Sequence, residues 1–206
     1  AVAAGVEHLV KLSSSDAEFR RSYWAVAHND IELEIAQVDV GYSFLRPNYF
    51  MEGFLDQFKV DSEGRLTLQV PTGDGVIGAI DTFDIGETAA ALLTGKTPLN
   101  GAALLTGPEN ISMNRVADAF GQAVGQSITY VDVNAAEYRS ELEIKHSASA
   151  GDIADIYEEV RSGTAEMVSS DVRRITGNEP RTIEQFAQAN VESIRSAIEL
   201  ATASSG

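Results

Sequence analysis

The stretch Leu45-Arg46-Pro47-Asn48-Tyr49-Phe50-Met51 crowds Arg, Asn and three large apolar side chains onto the end of an apolar run. If that run is a strand of an open α/β sheet, the crowd stands at its carboxyl end, where such sheets bind ligands. The same residues also suit a loop that plugs the sheet end. Upstream, His28 precedes Glu32 by one helical turn. A histidine can move a proton near neutral pH, and it can equally serve as a helix-surface partner of Glu32. The dyad Tyr-x-x-x-Lys, which lowers a phenol's pKa for proton transfer to a carbonyl, is absent; Tyr42…Arg46 and Tyr157…Arg161 have its spacing with Arg. The first pair falls on a strand, where residues four apart lie too far to meet. The second reads as a helix-surface pair.

Asp81 and Asp84 are carboxylates three apart, a spacing open to acid–base work. Asp84 directly precedes Ile85 and a run of good helix formers, which predicts that it caps a helix. Asp81 closes an apolar strand and stays open. Gly73-Asp74-Gly75-Val76-Ile77-Gly78 fits G-x-G-x-x-G, but a strand-like run comes after it and Lys96-Thr97-Pro98 stands where an acidic residue belongs. It therefore reads as a hairpin turn, not a dinucleotide fingerprint. His8 and His146 are isolated, and no metal set is expected.

These residues need a scaffold that brings them together. Ala1–Gly5 reads as the last turn of a helix with Gly5 closing it. A domain seldom opens there, which predicts further chain upstream. His8–Leu12 reads as a strand, broken by Ser13-Ser14-Ser15-Asp16. A helix from about Ser22 to Val38 carries Trp24, Ile31 and Ile35 at helical spacing. Strands come next at Tyr42–Leu45, Arg65–Val70, Val76–Ile80, Ala102–Thr106 and Ile128–Val133, with helices at Asp84–Leu93 and Ser112–Val124. Beyond them the pattern is helical, at 135–145, 152–162 and 182–201. Strands alternating with helices predict an α/β fold with a parallel sheet, and the last third predicts a mostly helical cap against its edge.

The 206 residues include 15 Lys and Arg against 31 Asp and Glu, a net charge of −16, with 44% hydrophobic residues and no cysteine. The charge argues against a phosphate-backbone binder, so no nucleic-acid partner is expected. No apolar run reaches the length of a bilayer span. The absence of cysteine excludes a disulfide scaffold, thiolate metal sites and a Cys nucleophile. An acidic cytoplasmic protein is expected, with a salt-adapted surface as the alternative.

Read in order, several segments resemble the NmrA-like family of atypical short-chain dehydrogenase/reductases. They are Ala4-Gly5-Val6-x-His8-Leu9-Val10-x-Leu12-Ser13-Ser14, His28-x-x-Ile31-Glu32 and Phe44-Leu45-Arg46-Pro47-Asn48-x-Phe50-Met51. Ile80-Asp81-x-x-Asp84-Ile85, Leu105-Thr106-Gly107-Pro108-Glu109, Tyr130-Val131-Asp132-Val133 and Asp171-Val172-x-x-Ile175-Thr176-Gly177-x-x-Pro180-Arg181-Thr182 continue the match. The resemblance implies the C-terminal part of a Rossmann-like parallel sheet. Residues 1–110 would belong to the NAD(P)-binding domain, 111–201 to a small helical substrate-binding part, and 202–206 to a disordered tail. The resemblance is confined to the family's segments after its fourth helix, so the glycine-rich phosphate loop falls outside the sequence. Weak NAD(P) binding by these residues alone is expected.

The resemblance further implies an NAD(P)H-dependent oxidoreductase acting on a quinone-like or other small planar acceptor. A non-catalytic protein that senses the NAD(P) ratio is the alternative, and an inert fragment is a third. Leu12, Ser13 and Pro47, Asn48, Tyr49 and Phe50 would flank the nicotinamide. His28 would hold the ribose or steer the acceptor, standing where related reductases carry the dyad's Lys; Trp24 falls at the Tyr position. Acceptors reduced at oxygen or nitrogen can take their proton from water, so no Tyr is essential. A parallel edge stripped of its neighbours predicts open strands at His8–Leu12 and Tyr42–Leu45, and homo-oligomers formed through them.

Overall fold

The computed structural model describes residues 2–20, 22–95, 98–145 and 150–204. Lys96, Thr97 and His146 lie outside it. The chain opens with a short 3-10 turn, Val2–Ala4, closed by Gly5 at φ 72°. Strand β1 (His8–Leu12) is followed by helix α1 (Tyr23–Ile35) and strand β2 (Gly41–Pro47). Ser22 starts α1 by accepting from the Ala25 N–H at 3.0 Å. Next come β3 (Phe58–Val60), β4 (Leu66–Val70), β5 (Val76–Ile77) and α2 (Thr82–Thr94). The middle of the chain forms β6 (Gly101–Leu105), β7 (Ile111–Ser112), α3 (Met113–Val124) and β8 (Thr129–Asp132). Five helices complete the described chain: α4 (Ala135–Lys145), α5 (Ala150–Ser162), α6 (Asp171–Thr176), α7 (Ile183–Ala189) and α8 (Val191–Ala203).

The principal sheet is parallel, in the order β1-β2-β6. Of the two strands expected to be open, β1 does lie at an edge. The expectation that Tyr42–Leu45 would also be open fails, because β2 lies between β1 and β6 and pairs with both. A second sheet has the order β3-β4-β8, and β5 pairs antiparallel with β7. The smaller of two cores covers the principal sheet, with Leu45, Ile80, Ile85, Leu92, Leu105 and Val172. The larger joins Met51, Phe54, Leu68 and Ile77 to Phe120, Tyr157, Phe186 and Ile194. It draws on residues from both sides of position 110, so that boundary does not separate two cores.

Several local expectations need correction. Asp81, not Asp84, caps α2: its side chain accepts from the Phe83 N–H at 2.8 Å. Asp84 lies in the first turn of the helix, where burial pushes its carboxyl up, and it accepts from the Arg181 N–H at 2.8 Å. The helix expected over 182–201 is two helices broken at Asn190, whose carboxamide donates to the Phe186 carbonyl at 2.9 Å. Residues 202 and 203, expected in the tail, close α8 as helix. Finally, Tyr157 is not on a helix surface: it is 1% exposed, and Arg161 reaches away to Asp132 and the Pro71 carbonyl.

Candidate functional site

A cleft of about 390 Å³ opens at the carboxyl ends of β1 and β2, within the usual range for small-molecule sites. Backbone pairing carries two loops to it. The Ser13 N–H donates to the Leu45 carbonyl at 2.6 Å and the Ser15 N–H to the Pro47 carbonyl at 3.0 Å, which draws Ser13–Asp16 alongside β2. Beyond Pro47 the chain pairs with Ile80, through Ile80 N–H to the Tyr49 carbonyl and Met51 N–H to the Ile80 carbonyl, each 2.9 Å. Met51 and Phe54 then sink into the larger core. The loop therefore both plugs the sheet end and presents Pro47, Asn48, Tyr49 and Phe50 to the cleft.

Helix α1 contributes Trp24 and His28, and α5 closes the far side with Asp155, Ile156 and Glu159. Of the residues singled out in the sequence, the structure brings Ser13, His28 and Pro47–Phe50 together. It does not bring Leu12, which is half-exposed and outside the lining. Asp16, Glu52, Asp155 and Glu159 also line the cleft, and sequence reasoning misses them.

His28 does not pair with Glu32. Its Nδ1 faces the Lys11 Nζ at 2.8 Å. An ammonium only donates, so Nδ1 accepts and the ring proton sits on Nε2. Burial, then the neighbouring Lys11 charge, lowers the His28 pKa, so the ring is neutral near pH 7. Burial also lowers the Lys11 pKa, against the pull of Glu32. The helix-surface reading fails because Glu32 turns inward. It is 3% exposed, accepts from Ser13 Oγ at 2.5 Å, and receives Arg46 through Nη2 at 2.6 Å and Nε at 3.1 Å. Burial opposes charge on Glu32, but these hydrogen bonds outweigh it and hold the carboxyl below its usual range. Arg46 also meets Glu18 at 2.7 Å. The guanidinium therefore ties β2 to α1 and to the turn that carries Glu18, and does not line the cleft.

The opposite wall is held by phenols. Tyr49 and Tyr157 hydroxyls meet at 2.9 Å, and the Tyr138 ring stands edge-on to Tyr157. Burial pushes the Tyr49 phenol up to about 12, so it stays protonated and gives no acid at neutral pH. Glycines of the Gly73–Gly78 hairpin let this wall close. A Cβ added at Gly78 would strike the Met167 carbonyl oxygen, and one at Gly75 the Val160 carbonyl oxygen. Gly78→Ala is expected to cost about 1–3 kcal/mol, measured as a shift in urea midpoint; a change below about 0.5 kcal/mol would mean that the loop after α5 yields freely.

Among the described residues, no group of His, Asp and Glu is placed to hold a metal ion, and no helix is long and apolar enough to cross a membrane. The fold agrees with that of solved structures that the chain is similar to. The NADPH-dependent quinone oxidoreductase from Escherichia coli superposes with a TM-score of 0.76 at 20% identity, covering 91% of this chain and 68% of that one. The uncharacterized oxidoreductase YesF of Bacillus subtilis (strain 168) is 35% identical over 158 residues, 72% of this chain and 53% of that protein. An agroclavine dehydrogenase of Claviceps purpurea is 31% identical over 193 residues, 91% of this chain and 66% of that protein. The chain thus spans between about half and two thirds of the length of these curated relatives. Residues 1–187 match the NmrA-like family, and with this sheet, this loop and this order of motifs the chain belongs to that family.

Proposed function

We propose that the cleft is the acceptor and nicotinamide end of an NAD(P)H-dependent oxidoreductase site for a quinone-like or other small planar acceptor. The observation that carries this reading is the convergence of Ser13, His28 and Pro47–Phe50 on one cleft at the carboxyl ends of parallel strands. The residues fit the nicotinamide riboside end of such a cofactor. Phe50 and Pro47 offer apolar faces, His28 Nε2 offers a donor, and Glu52 Oε2 is a buried acceptor without a partner. They do not fit its diphosphate, since no described Lys or Arg lines the cleft and the Gly73–Gly78 turn packs on Val160 and Met167. When bound, the dihydronicotinamide supplies hydride. The protein's part is to seat the acceptor beside it, keep water out with the aromatic loop, and hold hydroxyls through the neutral His28.

His28→Ala tests this. Losing a positioned hydrogen bond costs about 1–3 kcal/mol, or roughly 5- to 150-fold in turnover or cofactor affinity. Steady-state rates with NADH and NADPH and a quinone acceptor measure it. Unchanged turnover and unchanged cofactor affinity would leave His28 only a structural partner of Lys11.

A further inference from the structure

Behind the cleft stands a second nitrogen. Lys11, on β1 and outside the lining, donates from Nζ to His28 Nδ1 at 2.8 Å and to the Leu12 carbonyl at 3.0 Å. His28 itself lines the cleft, and no hydrogen bond among the described residues uses its Nε2. The bond made by one ring nitrogen decides which nitrogen carries the proton. Lys11 thus sets an N–H donor at the cleft and stands behind it with a proton of its own.

Other protic groups of the cleft are already engaged. The Tyr49 hydroxyl meets Tyr157, and burial keeps the phenol protonated. Ser13 Oγ donates to Glu32, and the Ser14 and Ser22 hydroxyls donate to Asp16. Trp24 offers an indole N–H without useful acidity. A quinone that has taken hydride is an oxyanion, and it needs a proton.

Building on the oxidoreductase reading above, we propose that Lys11 and His28 form a proton relay, in which Lys11 is a positioning residue that fixes the His28 tautomer and passes its own proton through the ring to the reduced acceptor. Hydride from the reduced nicotinamide carries two electrons to the quinone and leaves it a hydroquinone monoanion. The oxyanion then takes the Nε2 proton while Nδ1 takes one from Nζ. O–H and Nδ1–H bonds form as Nε2–H and Nζ–H bonds break. The ring stays neutral, and Lys11 becomes a neutral amine. After product leaves, water returns a proton to Nε2, and Nδ1 hands its proton back to Nζ. The groups facing the pair suit this. Glu32 and Arg46 face Lys11, while Lys11, Asp16 and Glu32 face His28. Burial outweighs Glu32 and lowers the Lys11 pKa, which brings the ammonium closer to giving up its proton.

The first arm of the test needs no cofactor. Nitrogen-15 spectra of the chain's three histidine rings, with His28 identified by its loss in His28→Gln, read the tautomer and its titration. At pH 7 the unmodified chain is expected to show His28 bare at Nδ1 and protonated at Nε2. Lys11→Met should mix the tautomers and let the ring titrate at higher pH, since a neighbouring charge is gone. Lys11→Arg should keep the tautomer, because a guanidinium still donates, yet it does not give up its proton. The second arm follows NADPH and NADH oxidation with a quinone. Both variants should lose about a hundredfold in kcat, within the usual range for general acid catalysis, with KM for the quinone little changed. In the unmodified chain kcat should fall on the alkaline side, below the ordinary lysine value, as Lys11 deprotonates. A proton on His28 Nδ1 in the unmodified chain overturns the proposal, as does a His28 tautomer unmoved by Lys11→Met. Full turnover in Lys11→Arg overturns the proton transfer. Correct nitrogen shifts with no nucleotide oxidation by the unmodified chain would be a different failure: the oxidoreductase reading falls, and the relay loses its acceptor with it.

Discussion

Replacing Arg46 with Ala is expected to destabilise the fold by about 3–5 kcal/mol, because it strands a charge rather than removing a contact. Glu32 sits under β2 at 3% exposure, and Arg46 supplies two of its hydrogen bonds. Without the guanidinium the carboxylate keeps Ser13 and the charge of Lys11, which do not replace a bidentate partner. Urea unfolding at pH 7 measures the cost, and a loss below about 1 kcal/mol would show that water reaches Glu32. The pH dependence gives an independent check. The folded pKa of Glu32 is depressed, so its contribution is full above the unfolded carboxylate value and is lost as pH falls through the folded one. In Arg46→Ala that acid-side loss should flatten. The paired change Arg46→Met with Glu32→Leu should recover much of the stability, since neither charge is then left alone.

Truncating Tyr157 to Ala should have a similar cost, about 3–5 kcal/mol, by a different route. The side chain is 1% exposed and packs on Tyr49 and Tyr138. Its loss opens a cavity behind the loop and orphans the Tyr49 hydroxyl. Tyr157→Phe keeps the ring and should cost only about 1–3 kcal/mol, the penalty of the unpaired hydroxyl. Thermal or urea unfolding of the two variants separates ring from hydroxyl; equal losses would mean that the cavity collapses at no cost. Affinity for any cleft ligand should fall in Tyr157→Ala, because α5 carries Asp155, Ile156 and Glu159 on the same turns.

Much of this is legible in the residues because it is local. Strands such as His8–Leu12 and the Ser22 cap of α1 follow from short-range pattern and hydrogen-bonding grammar. The loop after β2 is legible because Pro47, the last residue of the strand, lacks the N–H that a ladder needs; Arg46, expected to help stop the strand, still pairs within it. Asp81 and Asp84 both satisfy capping rules, and only Arg181, about a hundred residues on, decides between them. Lys11 reads as an ordinary strand residue, although a lysine amid His-Leu-Val and Leu is a signal that something polar meets it. Glu32 reads as a solvated helix residue because its partners, Ser13 and Arg46, come from the ends of two different strands. Asp155 and Glu159 give no local sign, since α5 is brought to the cleft by long-range packing, including that of Tyr157 on Tyr49 and of Val160 in the larger core.

The chain from Leu45 to Phe54 begins in one core and ends in the other: Leu45 belongs to the smaller cluster, and Met51 and Phe54 to the larger. The cleft lies along that seam, with Ser13–Asp16 on one bank and α5 on the other. Regions joined by few covalent and apolar ties can open separately, and exchange of their amide hydrogens reports each opening. A molecule gripped by both banks suppresses the opening between them by an amount set by its concentration over its dissociation constant. Amide protection at the seam thus becomes a fingerprint of occupancy, readable for colourless and unreactive compounds alike, and a library could be screened against this chain before any turnover is found.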